Sequence, residues 1–127
     1  MDRFLKIKAD GDYELVSEIE GFEKPALVTI SNNMDLADEY FIVFDGAARE
    51  IASINIMATW LSGAASCGHE IYGDSIVAKK LNKNGIKKAL LGSLDNKDIK
   101  ELQLVLEEDR TLAAKAVSEM FLSKGEY

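Results

Sequence analysis

The chain has little of several features that would mark a specialised class of protein. Its single cysteine excludes an internal disulfide framework, and its longest apolar runs are far shorter than the roughly 20 residues needed to cross a bilayer. One proline and nine glycines in 127 residues indicate neither a disordered nor a fibrous chain. The opening residues, MDRFLKIKADGD, lack the continuous apolar core of a signal peptide. We therefore expect one cytoplasmic domain over residues 1–127, with no membrane segment.

Motifs for catalysis and for cofactor binding are also missing. Neither GxxxxGK[ST] nor GxGxxG occurs, which argues against a P-loop or Rossmann nucleotide site. Cys67 and His69 are too few for a zinc site, and neighbours separated by one glycine rarely face each other as a catalytic pair. The sequence therefore predicts a protein that is not an enzyme, with no catalytic residue, no metal ligand and no cofactor.

Charged residues are plentiful but unevenly distributed. The net charge is −7, yet residues 1–78 hold 14 acidic against 5 basic side chains, whereas residues 79–127 hold 8 acidic against 10 basic ones. The acidic first segment would repel a phosphate backbone and attract a basic protein surface. This charge either serves only the solubility of the chain or indicates a protein partner with a basic surface, and no direct binding of nucleic acid is expected in either case.

The hydrophobic pattern predicts an α+β fold, with a mainly antiparallel sheet of about five strands and helices packed on it. Asp10-Gly11 predicts a tight hairpin near the start, because glycine accepts a positive φ. A bulge is expected at Gly73, and another short strand could begin at Ile86. The predicted strands are residues 3–8, 13–20, 26–30 (expected in the centre of the sheet), 41–44 and 70–79.

A central helix is predicted over residues 54–61, where apolar residues recur at helical spacing and Gly63 provides an end. The preceding residues 47–53 fit two patterns equally. They either begin this helix or form a strand that returns from the turn at Asp45-Gly46.

The end of the chain predicts one helix or a helix pair. Ser93 or Asp95 would cap the first helix, with Asp98 in its first turn, where negative charge suits the helix dipole. Asp109 falls on the apolar seam of a single unbroken helix, so a break is expected near residues 108–110. The apolar face of the first helix comprises Ile99, Leu102 and Leu106.

Five residues are the candidate partner contacts. Asp35, Asp38 and Glu39 are closely spaced acids, which lack the spacing of a calcium loop. Trp60 and Tyr72 are expected in the core; if exposed, they belong to the residue types that dominate interface energetics.

Other surfaces give competing hypotheses. A loop over residues 64–72 with the bulge at Gly73 would line a pocket for a small ligand or nucleotide beside Trp60. Lysines cluster at positions 79, 80, 83, 87 and 88, which predicts a solvated hairpin tip because no aromatic residue interleaves them. The alanine-rich face of the last helix, residues 112–121, could pack on the sheet or form a homodimer.

Several local features occur together over roughly residues 41–105. It comprises a strand entering an Asp-Gly turn, Asn55, Glu70-Ile71-Tyr72-Gly73-Asp74 leading into Ile76-Val77, and Leu91-Gly92-Ser93-Leu94 opening a helix. With the N-terminal hairpin, these features make the chain similar to a family of small proteins of unknown function encoded by bacteriophages and conjugative elements. The second half of the C-terminal helical region departs from the family pattern.

The resemblance implies no catalytic residues; it implies a mobile-element protein that acts on host machinery. Combined with the acidic first segment, it gives the hypothesis of a non-enzymatic inhibitor of a host nuclease or antiviral defence, of the anti-CRISPR or anti-restriction type. In this hypothesis an acidic surface occupies a channel that otherwise holds a phosphate backbone.

Overall fold

The computed structural model describes residues 2–31, 36, 39–48, 52–63, 70–81 and 90–125, with side chains as far as residue 120. Over these ranges the fold is α+β, as predicted, with a six-stranded antiparallel sheet and three helices. The strands are β1 (Phe4–Ile7), β2 (Tyr13–Val16), β3 (Pro25–Thr29), β4 (Tyr40–Asp45), β5 (Ser75–Lys80) and β6 (Leu91–Gly92). The helices are α1 (Ile56–Leu61), α2 (Asn96–Glu108) and α3 (Arg110–Gly125).

Strand β5 lies at the centre of the sheet, in the order β2-β1-β5-β4-β3, and β6 also pairs with β5. Val77 and Ala78 are neighbours on β5 that point to opposite faces, and both are fully buried. Both faces of the sheet are therefore covered at this point, which explains the continuous apolar runs at residues 41–44 in β4 and 76–78 in β5.

The prediction that residues 26–30 form a central strand is wrong. They belong to β3, which lies at the edge of the sheet and pairs only with β4 among the described strands. Pro25 begins this strand and is exposed, in keeping with the absence of a backbone donor. Strands β1 and β5 take the central positions through a pairing between residues distant in sequence.

The N-terminal hairpin is confirmed, but its second strand is shorter than predicted. Gly11 has a φ of 99°, and the Lys8 N–H donates to the Asp12 carbonyl at 2.8 Å. Strand β2 ends at Val16, whereas alternation predicted a strand as far as residue 20. The chain leaves the sheet after Val16, so the next apolar residue, Ile19, packs on the opposite face from the one predicted.

Helix α1 begins at Ile56, two residues later than predicted, because Ile54 forms a bridge with Tyr72. The predicted C-terminal signal is confirmed: Gly63 has a φ of 77°, and its N–H donates to the Trp60 carbonyl at 3.1 Å. In the described part of residues 47–53 there is neither a strand nor an α-helix, although the Ala52 N–H donates to the Ala48 carbonyl at 3.0 Å.

The C-terminal helix pair follows the predicted signals closely. Asp95 caps α2 and forms a capping box with Asp98, while Ser93 accepts a bond from the Arg3 N–H at 2.8 Å instead. The break falls at Asp109, between α2 and α3. Residues 82–89 lie outside the described ranges. Of the segment in which a short strand was expected from residue 86, the described end contains β6. The predicted face of Ile99, Leu102 and Leu106 is buried.

Two apolar clusters cover the two faces of the sheet. The larger one joins the helices to one face and includes Leu5, Ile42, Val77, Leu102 and Ala113. The smaller one lies on the other face around Phe4, Ile76 and Ala78. Among the described residues, no helix combines the length and the apolar character required to cross a bilayer.

Candidate protein-binding surface

The connection between β2 and β3, residues 17–24, crosses an entire face of the sheet. It must do so because β2 and β3 lie at opposite edges, with β1, β5 and β4 between them. Four steps between neighbouring strands span about 19 Å, and eight extended residues reach at most about 28 Å. The connection is therefore long enough to cross the face directly, and we call it the strap.

Two apolar residues of the strap point towards the sheet. Ile19 and Phe22 are half-buried and pack on the smaller cluster around Phe4, Ile76 and Ala78. They cover part of the sheet face that the helices leave open. Apolar contacts thus hold the middle of the strap against the strands.

Asp45 fixes the end of the strap. Its carboxylate accepts backbone N–H bonds from Glu23 at 2.9 Å, Lys24 at 3.0 Å and Ala47 at 2.9 Å. These bonds hold the pKa of Asp45 below its usual range. The Gly46 N–H also donates to the Lys24 carbonyl at 2.9 Å. An aspartate that the sequence marked only as part of a turn therefore anchors the strap to β4.

The outward residues of the strap are acidic. Glu18, Glu20 and Glu23 are all exposed, and none forms an ion pair with another described residue. Other acids nearby are compensated by lysines: Asp74 lies 3.7 Å from Lys6, and Glu14 lies 3.8 Å from Lys8. The strap therefore presents three exposed carboxylates, at positions 18, 20 and 23, that have no ion-pair partner among the described residues.

A small cavity lies beneath the strap. Its volume is about 220 Å³, and its lining includes Lys6, Phe22, Tyr72, Gly73 and Asp74. Pockets for drug-sized ligands usually range from about 300 to 1,000 Å³. The cavity lined by the described residues is smaller than this range, and Tyr72 and Gly73, which the sequence placed at a pocket, both line it.

Of the five predicted contact residues, the three that the structure describes do not form one surface. Asp35 and Asp38 lie outside the described residues. Glu39 is exposed, but it precedes β4 and so lies at the opposite end of that strand from Asp45. Trp60 packs against the helix-side cluster, whereas Tyr72 lies on the strap side.

The two aromatic candidates also differ in their hydrogen bonds. The Tyr72 hydroxyl donates to Glu70 Oε2 at 2.9 Å. The Trp60 Nε1 is buried and has no hydrogen-bond partner among the described residues. Both side chains are half-buried, so they lie between the two alternatives of core residue and exposed contact. Cys67, His69 and the rest of the predicted ligand loop before Glu70 lie outside the described ranges.

The lysine cluster is only partly a solvated tip. Lys79 and Lys80 belong to β5, and Lys80 Nζ lies 5.3 Å from the centre of the Phe41 ring. The other members, at positions 83, 87 and 88, lie outside the described part of the chain. Lys79 makes a buried contact that the sequence did not predict.

That contact is a polar network between the sheet and α2. Asp98 Oδ1 accepts the Tyr40 hydroxyl at 2.8 Å, and Lys79 Nζ lies 3.2 Å from Oδ1 and 3.1 Å from Oδ2. The Asp95 N–H donates to Asp98 Oδ2 at 3.0 Å. Each buried group therefore has a partner, and the network joins the first turn of α2 to β4 and β5.

The network shifts the pKa values of its members. Burial alone would raise the pKa of Asp98, but hydrogen bonds from Asp95, Tyr40 and Lys79 outweigh it and lower that pKa. The hydrogen bond to Asp98 raises the pKa of Lys79. Burial, with the bond to Asp98, raises the pKa of Tyr40 strongly. All three groups keep their ordinary charges near neutral pH, so the network acts as a fixed support.

No group of three or more His, Cys, Asp and Glu side chains within the described ranges is placed to hold a metal ion. Comparisons with protein-family models, with curated proteins and with solved structures each found no match. Function is therefore inferred from the geometry and charge of the chain.

Proposed function

We propose that this protein is a non-enzymatic interaction module whose acidic strap binds a basic surface on a partner protein. The observation that carries the proposal is the group of exposed carboxylates at Glu18, Glu20 and Glu23, which have no ion-pair partner among the described residues. The apolar anchors and the Asp45 clamp hold these charges in place before binding. A preorganised charged surface loses less conformational entropy on association than a mobile one does.

The partner class follows from the same charges. A groove that holds a phosphate backbone is lined by basic side chains, and an acidic surface is complementary to such a groove. The resemblance to phage and conjugative-element proteins supports a host nuclease or antiviral defence enzyme as the partner that contains this groove. In this proposal the protein inhibits by occupying the channel, in the manner of an anti-CRISPR or anti-restriction protein.

The test compares two variants that change the net charge equally. Glu18→Gln with Glu20→Gln removes two of the three outward carboxylates of the strap, while Glu108→Gln with Glu119→Gln removes two carboxylates at exposed helix positions. Inhibition of DNA cleavage by candidate defence nucleases, and binding to the same enzymes, would be measured at low and at physiological ionic strength. We expect the strap variant to bind about three- to tenfold more weakly, mainly through slower association.

The helix variant should behave like the unmodified protein, because its charges lie away from the strap. Equal effects of both variants would mean that only net charge matters. Binding that is insensitive both to salt and to the strap variant would refute the electrostatic proposal.

The alternative is a small-ligand or nucleotide sensor; of its predicted pocket, the described residues Tyr72 and Gly73 line a cavity of about 220 Å³. Thermal shift against a panel of nucleotides and metabolites separates the two functions. A ligand at 100 times its dissociation constant would add about 2.7 kcal/mol to the free energy of unfolding, and such a result would favour the sensor.

A further inference from the structure

The outer edge of β2 is open. In the hairpin the Lys8 N–H donates to the Asp12 carbonyl, so the backbone N–H and C=O of Asp12 point towards β1. This direction alternates along an antiparallel strand, so the backbone groups of Glu14 also point towards β1. The N–H and C=O of Leu15 consequently point away from β1. No described strand lies beside them, because β2 is the last strand on this side of the sheet. Unpaired strand edges can accept an added strand.

An apolar groove adjoins this edge. It lies between β2 and α2, has a volume of about 760 Å³, and is lined in part by Leu15 and Ile99. The Leu15 side chain is 46% exposed, one of the large apolar residues that folding leaves in water. A strand added to β2 would extend the sheet, and its helix-facing side chains would lie against this groove.

The rim of the groove is basic in an otherwise acidic chain. Arg3, Lys97 and Lys100 line it, against one acidic side chain, Glu101. The Arg3 guanidinium donates to Asn96 Oδ1 at 2.8 Å, which fixes its position. Lys97 and Lys100 are exposed and form no ion pair with a described residue. The rim therefore favours acidic groups in whatever occupies the groove.

We propose that the edge of β2 binds an extended segment of a partner protein that carries acidic and apolar side chains. Its backbone pairs with the N–H and C=O of Leu15, its apolar side chains cover Leu15, and its carboxylates meet Lys97 and Lys100. A second copy of this chain is a poorer occupant. In a two-fold contact the same patch meets itself, which would bring lysines together. The edge of β2 adjoins the start of the strap, but the groove itself lies on the helix side of the sheet.

The probe is a short synthetic peptide in which valine alternates with glutamate, and its control alternates valine with lysine. Binding to the full chain is followed by two-dimensional NMR, which reports the amide of Leu15 directly. We expect the glutamate peptide to bind, to shift the Tyr13 and Leu15 amide signals and to slow hydrogen exchange at Leu15. Reversal of the rim, Lys97→Glu with Lys100→Glu, should weaken its binding at least about fivefold and improve binding of the lysine peptide.

A matched variant, Thr111→Glu with Lys115→Glu and Ser118→Glu, makes the net charge more negative by the same amount at exposed positions on α3, outside the groove and the strap, and should leave peptide binding unchanged. Equal binding of both peptides, or no change at the Leu15 amide, overturns the proposal. So does a concentration-dependent dimer in sedimentation that Leu15→Glu converts to a monomer, because the edge would then belong to a second copy.

Discussion

Replacing Asn55 by alanine should destabilise the fold more than the loss of one hydrogen bond would. Asn55 is fully buried and caps α1, where its Oδ1 accepts the Ala58 N–H at 3.1 Å. Its amide donates to the Ile7 carbonyl at 2.8 Å and to the Gly73 carbonyl at 3.0 Å. One side chain therefore joins the start of α1, the end of β1 and the backbone just before β5.

The magnitude follows from these three bonds. Loss of the cap is worth about 1 kcal/mol, and each buried carbonyl left without a donor adds about 1 to 1.5 kcal/mol. The sum of about 3 to 4 kcal/mol is a large part of the 5 to 15 kcal/mol typical of a whole domain. It corresponds to a fall in melting temperature of roughly 10 to 20 °C.

Urea denaturation followed by circular dichroism measures this change. Ser53→Ala is the matched control, because Ser53 is exposed and close in sequence, and it should alter the free energy of unfolding by less than about 0.5 kcal/mol. If Asn55→Ala lowers that free energy by less than about 1 kcal/mol, the reasoning is refuted, since the carbonyls must then find other donors or water.

Two further predictions concern acid stability and the backbone. The pKa of Asp98 is lowered in the fold. Its contribution to stability is therefore present above the unfolded pKa of about 3.9 and is lost as pH falls through the folded value. In urea denaturation, the free energy of unfolding of the unmodified protein should fall more steeply below about pH 4 than that of the Asp98→Asn variant. Gly73→Ala should destabilise by about 1 to 2 kcal/mol because Gly73 has a φ of 77°, whereas Gly92→Ala should be milder. An added Cβ at Gly92 would come within 2.5 Å of the end of Leu81, but that side chain is 60% exposed and can turn away. Thermal denaturation of the two glycine variants compares them, and an equal or larger loss at Gly92 contradicts the expectation.

Local signals were sufficient for the parts of the fold that depend on neighbours in sequence. The hairpin at Asp10-Gly11, the cap at Asp95 and the break at Asp109 each result from a turn or a helix end, and all three are confirmed. Such features depend on φ preferences and on side-chain bonds to backbone a few residues away. The residues that cause these turns and helix ends can therefore be identified from the sequence alone.

The order of the strands was not predictable in the same way. Residues 26–30 read as a central strand because they are apolar, yet β3 lies at the edge. Its position depends on the pairing of β1 with β5, in which Leu5 lies opposite Val77. Nothing local to either segment specifies that partner. The strap was missed for the same reason, because its path is set by the distance between the edges that it connects.

The candidate surface was predicted in character but not in position. Charge asymmetry indicated an acidic face in the first part of the chain, and the strap provides one. The alternation that predicted β2 as far as residue 20 contained a partial signal, since Glu18 and Glu20 flank Ile19, with Gly21 and Pro25 soon after. Apolar and acidic residues alternate in an edge strand and in an extended connection alike, so periodicity alone does not separate them.

The strap has two roles, which belong to different side chains. Ile19 and Phe22 face the sheet and contribute to folding, whereas Glu18, Glu20 and Glu23 face water. Like charges this close repel one another, so neutralising them should relieve the fold slightly. Carboxylates without an ion-pair partner among the described residues are compatible with two roles, solubility of the chain and binding of an opposite charge on another molecule. A loss of binding in the glutamine variants without a loss of stability is therefore the result that distinguishes a binding surface from a merely soluble one.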